Sequence, residues 1–229
     1  MFDAIGLAPT REDQVYDQLR QAIIERKLVP GQEVVVAGVA TQMGVSRIPV
    51  ISACKRLIGE GFLVANPRRR MTVAALTADR IEEGKEVLLA LESVALEHVA
   101  RRVTDADLAR WRRLNDAVRR FRPPPGFLTP NVADARFHGA LWEAADRPYL
   151  LQHIQLVYDH NQPARALQHR RHDPERSAEE HDEILAALAR RDANGAKEAL
   201  RKHRDRGTAI QIDVLRSIEG AGASGQPLT

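Results

Sequence analysis

The chain has 229 residues, 44% hydrophobic and 28% charged with a net charge of +3, which suits two modest domains with separate cores. No apolar run approaches the roughly 18 residues a membrane span needs, and the opening MFDAIGLAPT is too short and uncharged for a signal peptide; the expected location is the cytoplasm. The single cysteine, Cys54, excludes an intramolecular disulfide and any CxxC metal or redox site.

Val15, Leu19, Ala22 and Ile23, spaced three and four apart, predict a first helix that stops before the breaker pair Pro30-Gly31. A short helix with Val36, Val39 and Ala40 on one face ends at Met43-Gly44, where glycine accepts the left-handed turn. Ser46 stands as the N-cap of a helix from Arg47 to about Gly59, and Pro49 is tolerated in its first turn. Phe62-Leu63-Val64 and Met71-Thr72-Val73-Ala74, separated by Asn66-Pro67-Arg68-Arg69-Arg70, read as a β-hairpin with a basic tip.

From Thr77 onward the pattern is helical throughout. Thr77 caps a helix over 78–102 whose apolar stripe includes Ile81, Leu88, Leu91, Ala95 and Val99. Thr104 opens a second, ending before Pro123-Pro124-Pro125, and Thr129-Pro130 a third. A fourth helix is expected from Pro148 to about Arg170, and a fifth behind the capping box Ser177-x-x-Glu180, with His181 in its first turn. Asp192 caps a sixth, reaching about Ile218. The fold expected is mainly α: a winged helix-turn-helix over 1–76, an all-helical effector and dimerisation domain over 77–219, and a disordered tail over 220–229.

Three helices followed by a hairpin form a winged helix-turn-helix, whose third helix reads the major groove. Charge agrees: residues 1–76 carry 10 Lys/Arg against 7 Asp/Glu, the remainder 24 against 24. Ser46, Arg47, Ile48, Pro49 and Ile51 lie at the start of the reading helix, where free amides also point outward. Arg47 can fork onto guanine, Lys55 and Arg56 suit phosphates, and Arg68, Arg69 and Arg70 suit the backbone or minor groove. Leu19 to Val73 resembles the DNA-binding domain of GntR regulators through IIERKLVPGQ (23–32), GVSRIPV (44–50) and KRLIGEGFLVANPRRR (55–70). Two departures stand out. Ile51 replaces an Arg that the resemblance would set on bases, and Arg70 replaces a wing glycine.

Eight histidines occur, and Asp134 and His138, four apart on one helix, share a face that His181 and His203 can join if the fifth and sixth helices pack antiparallel. Three imidazoles and a carboxylate suit zinc or another late first-row divalent ion. Residues 80–210 resemble the FCD ligand-binding domain of the FadR subfamily, in its six-helix VanR-like form, through DARFHGALWEAADRPYL (134–150), EEHDEILAALARRDANGAKEAL (179–200) and His203. The resemblance implies that Asp134, His138, His181 and His203 hold a divalent metal: zinc first, with nickel or manganese as alternatives. It also sets an effector-clamping Arg where this chain has Leu88 or Leu89, so no residue is assigned to the effector itself.

The function expected is a homodimeric repressor that releases palindromic operator DNA when a small-molecule effector, a carboxylate for example, binds at the metal site. Two rival functions compete with this one. A metal-dependent hydrolase needs a general base beside the metal, and Glu180 and Asp182 are expected to point elsewhere; HExxH, P-loop and Gly-x-Ser-x-Gly motifs are absent. A constitutive DNA-binding dimer would leave the four candidate ligands without a purpose.

Overall fold

The computed structural model describes residues 9–25, 27–66, 70–122, 132–168, 171 and 173–224. The chain divides into two compact units between Ala75 and Leu76.

In the first unit α1 (Arg11–Ile24) opens with a reciprocal cap: Thr10 Oγ1 accepts from the Asp13 amide at 3.1 Å, and Asp13 accepts from the Thr10 amide at 3.0 Å. Helix α2 (Val36–Met43) ends on Gly44 at φ 64°, and three residues later α3 (Arg47–Gly59) begins. Val50, Ala53, Cys54 and Leu57 repeat on one face of α3, are fully buried, and pack it on α1. Burying a side chain such as Leu57 contributes roughly 1.5–3 kcal/mol. The same burial pushes the Cys54 thiol up to about 11, which leaves it inert. Strands β1 (Leu63–Ala65) and β2 (Met71–Val73) pair antiparallel, Leu63 opposite Val73. Residues 31–34 add a short third edge that the sequence pattern did not suggest: the Val34 amide donates to Met71 O at 2.7 Å, and Val73 donates to Gln32 O at 2.9 Å.

The second unit is all helix among the described residues: α4 (Ala78–Arg102), α5 (Asp105–Arg120), α6 (Val132–Ala144), α7 (Pro148–His160), α8 (Gln162–Gln168), α9 (Pro174–Ala189) and α10 (Ala193–Ser224). Thr77 and Thr104 cap α4 and α5 as their sequence suggests, and Asp192 accepts from the Gly195 amide at the start of α10. Trp111, Phe137, Ile154, Ile184 and Leu188 fill the core between the helices.

Three boundaries differ from expectation. The fourth predicted helix breaks at Asn161, giving seven described segments instead of six. Pro163 supplies no amide to continue α7 but fits the first turn of α8. Asn161 also ties the break to α4 by donating from Nδ2 to Gly84 O at 2.9 Å, and a Cβ at Gly84 would come within 2.2 Å of its Oδ1. Helix α9 starts earlier than the Ser177 box, because Asp173 caps it and Pro174 occupies its first turn. Ser177 is instead buried and accepts from Arg206, which puts His181 in the middle of the helix. Helix α10 continues through Gly220 to Ser224, over the first part of the tail expected to lack structure.

Candidate functional site

Helices α6, α9 and α10 bring Asp134, His138, His181 and His203 together, with one ligand-type atom from each lying within 4.8 Å of the others. Antiparallel packing of α9 on α10 sets the His181 and His203 rings 4.7 Å apart, and the one-turn spacing on α6 puts His138 beside both. Asp134 Oδ1 lies 3.8 Å from His138 Nε2 and 3.6 Å from His181 Nε2. The three rings are buried, and Phe137 stacks on His181 at 4.0 Å between centroids.

Two of the rings are hydrogen-bonded from behind, and the third faces a carboxylate. His181 Nδ1 is 2.9 Å from Asn115 Oδ1 on α5, and Asn115 in turn donates to Asp182 and to the Ala178 carbonyl, both at 2.8 Å. His203 Nδ1 is 2.8 Å from Glu180 Oε2, whose other oxygen accepts from Arg206 at 2.6 Å. His138 Nδ1 faces Glu92 Oε1 at 4.0 Å, and Glu92 accepts two bonds from Arg204 and one from Trp142 Nε1. Partners at Nδ1 turn the Nε2 atoms inward, the usual arrangement behind metal-ligating histidines.

Electrostatics supports the same use. Burial, then the positive Arg204, pushes the His138 pKa well below its ordinary value; burial and the neighbouring His203 do the same to His181, outweighing Asp134. Both shifts favour the neutral ring, the form that binds metal. Burial works against the charge of Asp134, yet His181, His203, Arg165 and Arg204 hold its carboxyl down at about 2. The decisive fit is that His138 Nε2 and His181 Nε2 are buried without a hydrogen-bond partner. Buried polar atoms are rarely left so, and a divalent cation is the partner this donor set suits.

In the first unit Ser46, Arg47, Ile48, Ile51 and Lys55 are exposed along one side of α3, and Pro49 is half-buried beside them. Ile48 and Ile51 stand 75% and 39% exposed, apolar side chains that the core does not use. Ser46 occupies the N-cap position, but its hydroxyl makes no capping bond. Arg56 is differently placed from Lys55. Its guanidinium lies 3.7 Å from the Tyr16 ring centroid, 3.2 Å from Glu60 and 3.6 Å from Asp13, and so ties α3 to α1. Arg70 is exposed and 3.4 Å from Glu33; Arg68 and Arg69 lie outside the described residues.

The family of bacterial regulatory proteins named gntR matches residues 11–73, and the FCD domain family matches residues 85–206. The chain is a GntR-family regulator with an FCD domain. YdhC, an HTH-type transcriptional regulator of Bacillus subtilis, is 30% identical over 95 residues, 42% of this chain and 42% of YdhC, so the match spans less than half of that protein. The regulator McbR of Escherichia coli is 23% identical over 208 residues, 86% of this chain and 90% of that one. The structure of E. coli McbR/YncC shares the fold at a TM-score of 0.68, 22% identity, over 89% of this chain and 98% of that one. The metal-free FCD domain of TM0439 shares it at 0.51 and 22% identity, over 63% of this chain and 99% of that one.

This GntR/FCD chain is thus a transcriptional regulator with a DNA-binding domain and an effector-binding domain, and not an enzyme. The FCD cluster contains all four residues expected as ligands. Sequence reasoning missed the groups behind them, Glu92, Asn115 and Glu180. Glu180 does not face the centre but reaches the outer Nδ1 of His203 on the neighbouring helix. Leu88 is buried at the wall of a small cleft of about 40 Å³ beside the cluster, and the cations there are Lys85, Arg165 and Arg204. No helix is long and apolar enough to cross a membrane among the described residues.

Proposed function

We propose that this regulator is a cytoplasmic homodimeric repressor in which Asp134, His138, His181 and His203 hold one divalent ion, zinc before nickel or manganese, and an effector bound beside it releases the DNA. The observation that carries the metal is the pair of buried, unpartnered Nε2 atoms facing a carboxylate already ionised by its surroundings. A similar FCD domain is described as metal-free, which makes metal content a meaningful variable for this fold. When bound, the ion supplies a Lewis-acidic anchor and a cross-link between three helices. The chain's own residues do the rest: Asn115 and Glu180 orient His181 and His203, and the apolar core around Phe137 excludes water.

On DNA, Ser46, Arg47, Ile48, Pro49 and Ile51 are the base-reading group and Lys55 a phosphate contact, with Arg68, Arg69 and Arg70 on the hairpin. Arg56 is left to hold the fold. A single reading helix covers few base pairs, so two copies on a palindromic site supply the remaining specificity.

The test is metal analysis of the full-length protein with thermal melts. About one divalent ion per chain is expected, and free metal at a hundred times its Kd stabilises by about 2.7 kcal/mol. His203→Ala should lose metal and melting temperature together; His153→Ala, half-buried on α7, should change neither. Metal-free protein whose melting is unmoved by added zinc, nickel or manganese would refute the reading.

A further inference from the structure

Helix α3 leaves two isoleucines in water. Ile48 is 75% and Ile51 39% exposed, whereas Val50, Ala53, Cys54 and Leu57 on the opposite face are fully buried. Residues 48 and 51 are three apart, so both side chains leave the helix on one side, about 4.5 Å apart along its axis. Charge brackets them: Arg47, Ile51 and Lys55 stand at four-residue steps, and all three are exposed. A lone exposed apolar residue is ordinary. Here two stand together in the first turns of the helix that a winged helix-turn-helix sets in the major groove.

What an isoleucine can recognise is narrow. It neither donates nor accepts a hydrogen bond, so phosphates, guanine N7 and O6, adenine N7 and N6 and cytosine N4 offer it nothing. Held against those edges it displaces water without replacing the hydrogen bonds lost. Thymine alone carries an apolar group in the major groove, its C5 methyl. A helical isoleucine is also held almost entirely in one χ1 rotamer, so its methyl groups lose little freedom on contact. Such a pair attracts thymine and penalises the other bases, the two halves of specificity.

Resting on the base-reading role given to α3 above, we propose that Ile48 and Ile51 are thymine readers, each packing on the C5 methyl of a thymine in the operator half-site. Their axial spacing compares with the rise of about 3.4 Å per base pair, which puts the two thymines on neighbouring base pairs. Arg47 and Lys55, one turn to either side of Ile51, supply the positive charge that holds the helix in the groove.

A methyl-deletion scan tests this. The full-length protein selects a duplex from random sequence, and each thymine of that duplex is then replaced in turn by uracil, which lacks only the methyl. Fluorescence anisotropy should find two positions in each half-site where uracil weakens binding by about fourfold, the worth of one buried methyl. Changing both symmetry-related copies together should give roughly tenfold or more. Ile51→Ala should bind the thymine duplex more weakly and lose its response to uracil at one of these positions; Ile48→Ala should lose it at the other. Ile51→Val keeps the branched stem and should retain most of the response, and it serves if the alanine protein melts early. A full uracil response in both alanine variants, or none in the unaltered protein, overturns the thymine readers; Arg47→Ala losing sequence preference would then leave the reading helix standing. A selected duplex bound no better than scrambled DNA overturns both.

Discussion

The two units place their candidate residues in opposite ways. In the DNA-binding unit they are exposed and nearly contiguous: Ser46 to Lys55 lie on one helix, and Arg70 on a hairpin a few residues on. In the FCD unit they are largely buried and drawn from five helices, with Glu92 meeting Arg204 across 112 residues of sequence. A surface that reads DNA needs side chains left free by a rigid support, whereas a centre that holds an ion needs charges and lone pairs closed off from water. Substitutions should therefore cost binding in the first unit and folding in the second.

Glu92→Ala would sharpen that contrast most. It strands the buried Arg204 guanidinium and the Trp142 N–H, and removing one partner of a buried pair costs about 3–5 kcal/mol. Denaturant unfolding followed separately for the two units should show the loss in the FCD transition alone; an unchanged midpoint there would break the comparison.

Next comes Arg47→Ala. Being exposed, it should leave stability within about 0.5 kcal/mol. On a duplex selected from random sequence, affinity should fall by about 1–3 kcal/mol, with little change on scrambled DNA. Fluorescence anisotropy giving equal losses on both duplexes would contradict a base-reading role.

The smallest effects separate two neighbours. Arg56→Ala gives up a ring contact and exposed ion pairs, and should destabilise the first unit by about 0.5–1 kcal/mol. Lys55→Ala should leave stability unmoved and lower the salt dependence of DNA binding by roughly one ion. Were Arg56→Ala to alter only the salt slope, its tie to Tyr16 and Glu60 would be irrelevant in solution.

The sequence by itself determined the DNA-binding unit almost to the residue. Gly44, Ser46 and the stripe Val50, Ala53, Cys54 and Leu57 are local signals, each acting within a turn or two, so helix α3 and its exposed face follow from spacing alone. The caps at Thr77, Thr104 and Asp192 were legible for the same reason. Asp134 and His138 were readable as a pair because one helical turn separates them; His181 and His203 needed the resemblance to FCD domains to join them.

Tertiary structure decided the rest. The break at Asn161 is tied to Gly84, far away on α4, and the burial of Ser177 to its bond with Arg206. Whether Arg56 serves DNA or the fold depends on Tyr16 and Glu60 lying within reach. Which cations near the cluster are neutralised, and that Arg165 is the one with an idle N–H among the described residues of the cleft wall, depends on pairs closed between helices. Helix propensity and capping act over a few residues and are written locally, whereas the partner of a buried charge is chosen by packing between segments whose separation along the chain carries no signal.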